Sequence, residues 1–205
     1  MNATFTVPSG DRRLRRDATE GKILDATAAL LDEGASLAEL SVGRIVAAAG
    51  VSRATFYLHF TDKRALIARL AARELSAFDE ATDAFFEVPD AGRDELASTV
   101  RGVVELWRDH AGVLSSLIEL AEYDADARAT WRATVEAIAR SVEIALRARR
   151  RDLTSAQAAT LAQTIAWAGE RACHQMVGRD ASTRQVAKVA DALTDLIWRA
   201  IAPAA

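Results

Sequence analysis

The segment SVGRIVAAAGVSRATFYLHFTDK, residues 41–63, decides the fold of the N-terminal part of the chain. Ser41 can cap a short helix whose apolar residues recur at a spacing of three and four, which predicts one buried face. Gly50 follows that helix directly, where a residue that tolerates left-handed backbone dihedrals allows a tight reversal. Ser52 can then cap a second short helix. The segment therefore predicts a helix-turn-helix.

The second helix of this motif is predicted to divide into an apolar inner side and a polar outer side. Phe56 and Phe60 are placed inward. The residues placed on the outer side are Arg53, Ala54, Thr55, Tyr57 and His59. A guanidinium, a hydroxyl, a phenol, an imidazole and one small residue suit contacts to phosphates and base edges in a major groove. A three-helix unit that never touches DNA is the alternative, but it leaves this polar side unexplained.

Residues 50–66, GVSRATFYLHFTDKRAL, resemble the recognition-helix signature of TetR-type transcriptional regulators, and residues 15–72 fit that family's DNA-binding domain. We expect Arg53, Ala54 and Tyr57 to meet base edges or the groove floor. Phosphates are expected to be held by Ser41, Arg44, Ser52, Thr55, His59 and Lys63. The partner of this surface is thus predicted to be a double-stranded DNA operator.

Three segments are predicted along the chain. Residues 1–16, MNATFTVPSGDRRLRR, have no periodic apolar face and predict a flexible basic arm, either solvated or in contact with adjacent phosphates or the minor groove. Residues 17–63 predict the helix-turn-helix domain, which begins with a helix from Ala18 to Leu31. Residues 64–205 predict a helical domain for effector binding and dimerisation.

The remainder of the chain is predicted to be helical, because no segment shows the period-two alternation of a strand. Thr61 is expected to cap a long fourth helix that reaches Val88 and Pro89. The TetR resemblance implies that this helix couples ligand binding to the spacing of two DNA-binding domains; a plain connecting helix is the alternative. The further predicted helices are Arg93 to Asp109, Ala111 to Tyr123, Asp124 to Arg151, Thr154 to Val177 and Ser182 to Ile201. The predicted architecture is all-α.

The last two helices indicate a homodimer. Their apolar stripes are wider than a one-sided surface helix requires, and small residues between Ala156 and Met176 allow close approach of helix axes. A symmetric four-helix interface between two copies is what the TetR resemblance implies. Two DNA-binding domains would then face the half-sites of a pseudo-palindromic operator.

The resemblance also implies an effector pocket among the middle helices. Its predicted lining residues are Trp107, Tyr123, Trp131, Trp167, Met176 and Trp198. LAQTIAWAGERACHQMVG (161–178) and VADALTDLIWRAIA (189–202) are similar to the EthR branch of the family, whose pocket is a long aromatic tunnel. Asparagines that bind ligands in that branch are replaced here by Ala166 and Gly169. Either the polar group of the ligand is met elsewhere or the ligand is different.

Composition excludes several other classes of protein. No stretch approaches the roughly 20 apolar residues of a membrane span, and the first ten residues hold no signal-peptide core, so we expect a cytoplasmic protein. The net charge is −3, yet residues 1–64 carry nine Lys or Arg against eight Asp or Glu. The rest of the chain carries 17 against 21, so a dimer could present a locally positive face to DNA on an acidic body.

No catalytic, metal or cofactor site is predicted. The three histidines are scattered, and the sequence has neither a serine-centred elbow nor a glycine-rich phosphate loop. Glu170, Cys173 and His174 could hold a metal or activate a thiol. On an alanine-rich helix, an ion-paired glutamate beside a buried thiol is the favoured interpretation.

These features together predict a non-enzymatic, sequence-specific DNA-binding regulator of transcription. We expect a repressor of the TetR type that a small apolar or aromatic ligand releases from its operator. The alternative is a helical ligand-binding or carrier protein that does not read DNA.

Overall fold

The computed structural model describes residues 9–86 and 92–202, and these residues form helices and short connections without a β-strand. The helices are α1 (Ser9–Asp32), α2 (Val42–Ala49), α3 (Arg53–His59), α4 (Lys63–Phe86), α5 (Arg93–Asp109), α6 (Ala111–Ala121), α7 (Ala125–Arg149), α8 (Ser155–Met176) and α9 (Thr183–Ile201). The all-α prediction is therefore confirmed. Within the same residues, no helix combines the length and the apolar character needed to cross a bilayer.

Helix α1 begins earlier than predicted. Residues 9–16 continue the helix, so their assignment to a flexible arm is wrong, while residues 1–8 lie outside the described part of the chain. Arg13, Leu14 and Arg16 are exposed, which explains why this turn shows no apolar period. Extending a helix that is already nucleated by packing costs little, so the residues at its start need no buried face of their own.

The helix-turn-helix forms as the sequence predicts. The Ser41 Oγ accepts a hydrogen bond of 3.1 Å from the Arg44 amide at the start of α2. Gly50 then adopts the left-handed region, with φ at +65°. The Ser52 Oγ accepts a hydrogen bond of 3.0 Å from the Thr55 amide at the start of α3. Phe56 is fully buried beneath this corner.

Helix α4 is capped by Asp62 rather than by Thr61, which corrects the predicted cap. The helix begins at Lys63, so Asp62 occupies the N-cap position. Its Oδ1 accepts a hydrogen bond of 2.9 Å from the Ala65 amide. The described helix is 24 residues long, or about 36 Å at 1.5 Å per residue. It packs against α1 at one end and against α5, α6 and α7 along the rest.

Helices α4–α9 form a C-terminal body in which α7 packs mainly on α8, and α5 mainly on α9. Helix α6 also packs closely against α1. A Cβ added at Gly112 would lie only 2.7 Å from the Leu31 carbonyl oxygen. Buried residues of α1–α3 and of the body form one continuous hydrophobic core. The N-terminal unit, α1–α3, is thereby held against the body.

Gly50→Ala is expected to lower the free energy of unfolding by about 1 kcal/mol, because an L-residue is strained in the left-handed region. No atom lies within 4 Å of the added Cβ, so backbone strain is isolated from crowding. Gly21→Ala is the matched control. Gly21 lies inside α1 with equally open space, and alanine there is expected to add about 0.5 to 1 kcal/mol. Urea unfolding of both variants measures the difference, and shifts of the same sign would contradict the assigned turn.

Candidate DNA-binding face and ligand cavity

One side of α3 is exposed over a buried phenylalanine. Arg53 and Ala54 are exposed, and the Tyr57 side chain keeps 57% of its surface accessible. The Phe56 ring packs edge-on against the Tyr57 ring, with centroids 5.3 Å apart. This contact fixes where the phenol projects from the helix. Thr55 is half-buried, and its hydroxyl lies 2.8 Å from the Ser52 Oγ.

Leu58 is absent from the residues predicted to contact DNA, yet 74% of its surface is exposed. Positions 54, 57 and 58 share one helical face by the three-and-four spacing. The sequence could have indicated the exposure of Leu58, because position 58 does not share a helical face with Phe56 and Phe60. An outward leucine can make apolar contact with a thymine methyl group. We call Arg53, Ala54, Tyr57 and Leu58 the α3 face.

Helix α2 adds Arg44 and Ser41, both exposed at its first turn. Gly43 gives room to the neighbouring arginine, since a Cβ there would lie 3.1 Å from the Arg53 Nη2. The guanidinium of Arg53 therefore lies beside the start of α2. Two arginines and two capping serines are thus grouped at one edge of the motif.

His59 does not lie on the outer side of α3, and its predicted placement there is wrong. Its side chain is only 6% exposed, and its Nδ1 lies 3.9 Å from the Glu20 Oε2 of α1. That nitrogen is buried and has no hydrogen-bond partner among the described residues. The cause is spacing, because position 59 follows Phe56 by three and precedes Phe60 by one, which puts it on the buried stripe.

Lys63 is also drawn into the structure. Its Nζ donates a hydrogen bond to the Leu37 carbonyl in the connection between α1 and α2, and the side chain is partly buried. The ammonium therefore closes this connection instead of projecting freely toward a phosphate. The sequence could not reveal this contact, which joins residues 26 positions apart.

The C-terminal body encloses a cavity with about 1020 Å³ of empty space, including the part open to solvent. Helices α4–α9 all contribute to its walls, and most lining side chains are aliphatic. Trp107 and Trp131 line it as predicted, with their rings edge-to-face and their centroids 5.9 Å apart.

Four residues predicted for the pocket lie elsewhere. Tyr123 and Met176 are 61% and 52% exposed, and Trp167 lies in a separate shallow groove. Trp198 is half-buried outside the cavity, with the Arg149 guanidinium carbon 5.8 Å from its ring centroid. Helical phase explains the misses. Each of these side chains is large and apolar, but only the helix packing decides which face is turned inward.

The cavity face of α8 holds residues that the aromatic pattern does not indicate. They are Ile165, Ala166, Gly169, Glu170 and Cys173. These positions are one, three and four residues apart, and this helical spacing is the feature of the sequence that could have identified them as one face. Ala166 and Gly169, the two positions at which the EthR resemblance implies a replaced asparagine, thus lie on the cavity wall.

Glu170 brings a carboxyl group into this apolar wall. Its side chain is 6% exposed, and the nearest cation, the Arg171 Nε, is 3.9 Å from the Oε2. Burial raises the pKa of Glu170 above its ordinary value, and the charges of Arg171 and His174 oppose that rise. The carboxyl is therefore held where its charged form is poorly solvated.

The neighbours of Glu170 do not form a reactive site. Burial raises the pKa of the Cys173 thiol to about 12, so the thiol stays protonated at neutral pH. His174 Nδ1 is buried without a hydrogen-bond partner in the described part of the chain. No three His, Cys, Asp or Glu side chains among residues 9–86 and 92–202 are grouped as a metal would require.

Residues 23–70, which contain the C-terminal part of α1, the helix-turn-helix and the start of α4, match the family model described as "Bacterial regulatory proteins, tetR family". These residues therefore have the DNA-binding domain of the TetR type. Among curated proteins it is similar to the HTH-type transcriptional regulator EthR of Mycobacterium tuberculosis (strain H37Rv) and of Mycobacterium bovis. Each is 32% identical over 111 residues, which cover 53% of this chain and 51% of EthR. The chain thus spans about half the length of the curated relatives that it matches.

Solved structures share the fold of this chain. The regulator FadR from Bacillus subtilis, in complex with stearoyl-CoA, has a TM-score of 0.68 at 16% identity, covering 88% of this chain and 98% of FadR. A TetR-family regulator from Mesorhizobium loti has a TM-score of 0.65 at 18% identity, covering 90% and 97%. A TetR-like regulator from Rhodococcus sp. RHA1 scores 0.62 at 23% identity, covering 88% and 94%.

Glu170→Gln is expected to raise the free energy of unfolding, relative to the wild type, by more at pH 7 than at pH 4. The pKa of Glu170 is higher in the folded state than its unfolded value of 4.5. Ionisation of Glu170 therefore takes nothing from the free energy of unfolding below pH 4.5, and it lowers that free energy by its full amount above the folded-state pKa. Wild-type stability therefore falls relative to the glutamine variant as the pH rises through that window. Chemical unfolding at the two pH values measures it. Glu122→Gln, which removes an exposed carboxyl, gives the effect of losing one surface charge. A constant difference for Glu170→Gln across pH would contradict the assignment.

Proposed function

We propose that this chain is a dimeric repressor that binds a pseudo-palindromic operator through α3 and is released by a small apolar or aromatic ligand in the cavity. The observation that supports it best is the exposed α3 face above buried Phe56, within a helix-turn-helix of the TetR family. A regulator of this kind acts where the DNA is, which we propose to be the cytoplasm.

In this proposal α3 enters the major groove. Arg53, Ala54 and Tyr57, joined by Leu58, meet base edges or the groove floor. Ser41, Arg44, Ser52 and Thr55 hold phosphates on either side. His59 and Lys63 support the motif from within, because their polar atoms face Glu20 and Leu37 instead of solvent.

Dimerisation is proposed through α8 and α9. Trp167 on α8 and Leu196 on α9 are exposed apolar side chains, at 37% and 47% of their surface. Apolar residues of this size outside the core are typical of a surface that a partner covers. Pairing of α8 and α9 from two copies would place two α3 helices on one side of the dimer.

Ligand and DNA are proposed to act on each other through α4 and α6. Leu75 of α4 and Leu114 of α6 both line the cavity. The same two helices touch α1, with α6 in close contact at Gly112 and Leu31. A ligand that favours a wider separation of the two α3 helices would weaken DNA binding, and DNA would weaken ligand binding by the same factor. The stearoyl-CoA bound by FadR, a protein of the same fold, supports an apolar ligand.

A ligand-binding or carrier protein that does not read DNA is the second candidate, because the cavity by itself serves either role. Mobility shift on the intergenic DNA that flanks the gene for this chain separates the two, at two salt concentrations and with competitor DNA. Specific retention at physiological salt supports the regulator, and its affinity should fall steeply as salt rises. Selection from random duplexes that yields no preferred site would support the carrier.

Tyr57→Ala is expected to weaken operator binding by about 1 to 3 kcal/mol, since it removes one base-edge contact per α3 helix. Titration in a mobility-shift assay measures the loss, and light scattering checks that the dimer is intact. Tyr123→Ala is the matched control, because Tyr123 is as exposed as Tyr57 but lies between α6 and α7. Unchanged affinity in the Tyr57 variant would remove this residue from the interface.

Leu196→Arg is expected to convert the dimer to a monomer, because an unpaired charge buried at an interface costs about 3 to 5 kcal/mol. Size-exclusion chromatography with light scattering at micromolar concentration measures the mass. Ile144→Arg places the same charge on α7, where Ile144 is 61% exposed, and should leave the dimer unchanged. A dimeric Leu196 variant, or a monomeric Ile144 variant, would argue against an interface through α9.

A further inference from the structure

Glu170 is the one charged side chain among the described residues that line the cavity. The other polar side-chain groups in the lining are neutral: three hydroxyls, the Cys173 thiol and the indole N–H groups of Trp107 and Trp131. Two of the hydroxyls already have a partner. Thr134 donates to the Thr130 carbonyl and Ser141 to the Ala137 carbonyl, each within its own helix. A ligand in the cavity therefore meets aliphatic and aromatic surface, weak hydroxyl acceptors and a single carboxyl group.

The carboxyl lies at the end of the cavity that borders the surface. Glu170 and Trp131 line both the cavity and the adjacent shallow groove, which also contains Trp167, Arg171 and Arg128. A ligand with one end beside Glu170 could extend its body toward Trp107. The site thus has a polar end and an apolar end, as an amphipathic ligand requires.

The charges around this end favour a cation over an anion. The cavity lining from α4, α5, α6, α7 and α9 contains no Lys or Arg in the described residues. The Arg128 guanidinium is held by the carbonyls of Ala121 and Glu122, at 2.9 and 2.8 Å. Arg171 lies in the groove, 63% exposed, at the outer margin of contact with Glu170. An anionic group inside the cavity would meet a carboxylate and no cation.

The buried carboxylate has one ion-pair partner, the exposed Arg171 at 3.9 Å, and an ammonium bound in closer contact would stabilise its charged form further. Trp131 lines the same end, and its ring face can also attract a cation. We propose that the ligand of this cavity is an amphipathic amine, whose ammonium pairs with Glu170 while its apolar body packs against Trp107, Trp131 and the aliphatic wall. This inference rests on the proposed ligand cavity and names the chemical class of its ligand.

The test compares ligands that share an apolar body and differ in their polar end. The probes are 4-phenylbutylamine, 4-phenylbutanol and 4-phenylbutanoate, with octylamine, octanol and octanoate as a second skeleton. Binding to the full chain at pH 7.5 is measured by calorimetry and by the fluorescence of Trp107 and Trp131. Each amine is expected to bind at least about tenfold more tightly than its alcohol, and each carboxylate more weakly than its alcohol.

Glu170→Gln keeps the size of the side chain and removes its charge. In this variant the preference for the amine should fall to within about threefold of the alcohol, while the affinity for the alcohol stays unchanged and shows that the cavity is intact. Glu122→Gln removes a carboxyl from the neighbouring groove and should keep the full preference. This control separates a contact with Glu170 from a general effect of negative charge.

The possible outcomes distinguish this inference from the proposed function. If alcohols or carboxylates bind as tightly as amines, or if the preference survives in Glu170→Gln, the amine assignment is overturned while a ligand cavity stands. If no probe of either skeleton binds at millimolar concentration, the proposed ligand-binding function fails and the inference fails with it. A preference that is lost in Glu170→Gln and kept in Glu122→Gln supports the assignment.

Discussion

The structure depends on the close contact between α6 and α1. Gly112 lies so near Leu31 that any side chain at that position would meet the backbone of α1, within 2.7 Å of its carbonyl oxygen. Next to this contact, the His110 Nδ1 at the start of α6 lies 2.9 Å from the Glu74 Oε2 of α4. The N-terminal unit and the body therefore share one packed core, in which α4 and α6 both contact α1.

That shared core explains how the helix-turn-helix distributes its polar residues. A small three-helix unit has little apolar surface to bury, so it relies on the body and on polar closures of its own. Lys63 holds the connection between α1 and α2, and His59 packs toward Glu20, which also pairs with Arg69 of α4. The residues of α3 that stay exposed are those whose positions point away from α1.

The cavity reflects a related balance within the body. Four-sided packing of α5, α7, α8 and α9 is incomplete where α8 has small residues, and Ala166 and Gly169 leave space that larger side chains would fill. The wall stays aliphatic because every helix turns its apolar stripe inward. Glu170 departs from that pattern, because it is the one charged side chain among the described residues that line the cavity.

Local features of this protein were determined by the sequence itself. Capping residues Ser41, Ser52 and Thr154, the left-handed Gly50 and the apolar periods predict the helices to within a few residues, because hydrogen bonds and periodicity involve neighbours along the chain. The cap of α4 and the first turn of α1 were the exceptions. Only the tertiary structure decided that Trp198 lies outside the cavity and that Glu170 lines it. Those outcomes depend on which faces of distant helices meet. Whether a given face of a helix is buried is decided by the other helices that pack against it, and the sequence of that helix does not specify them.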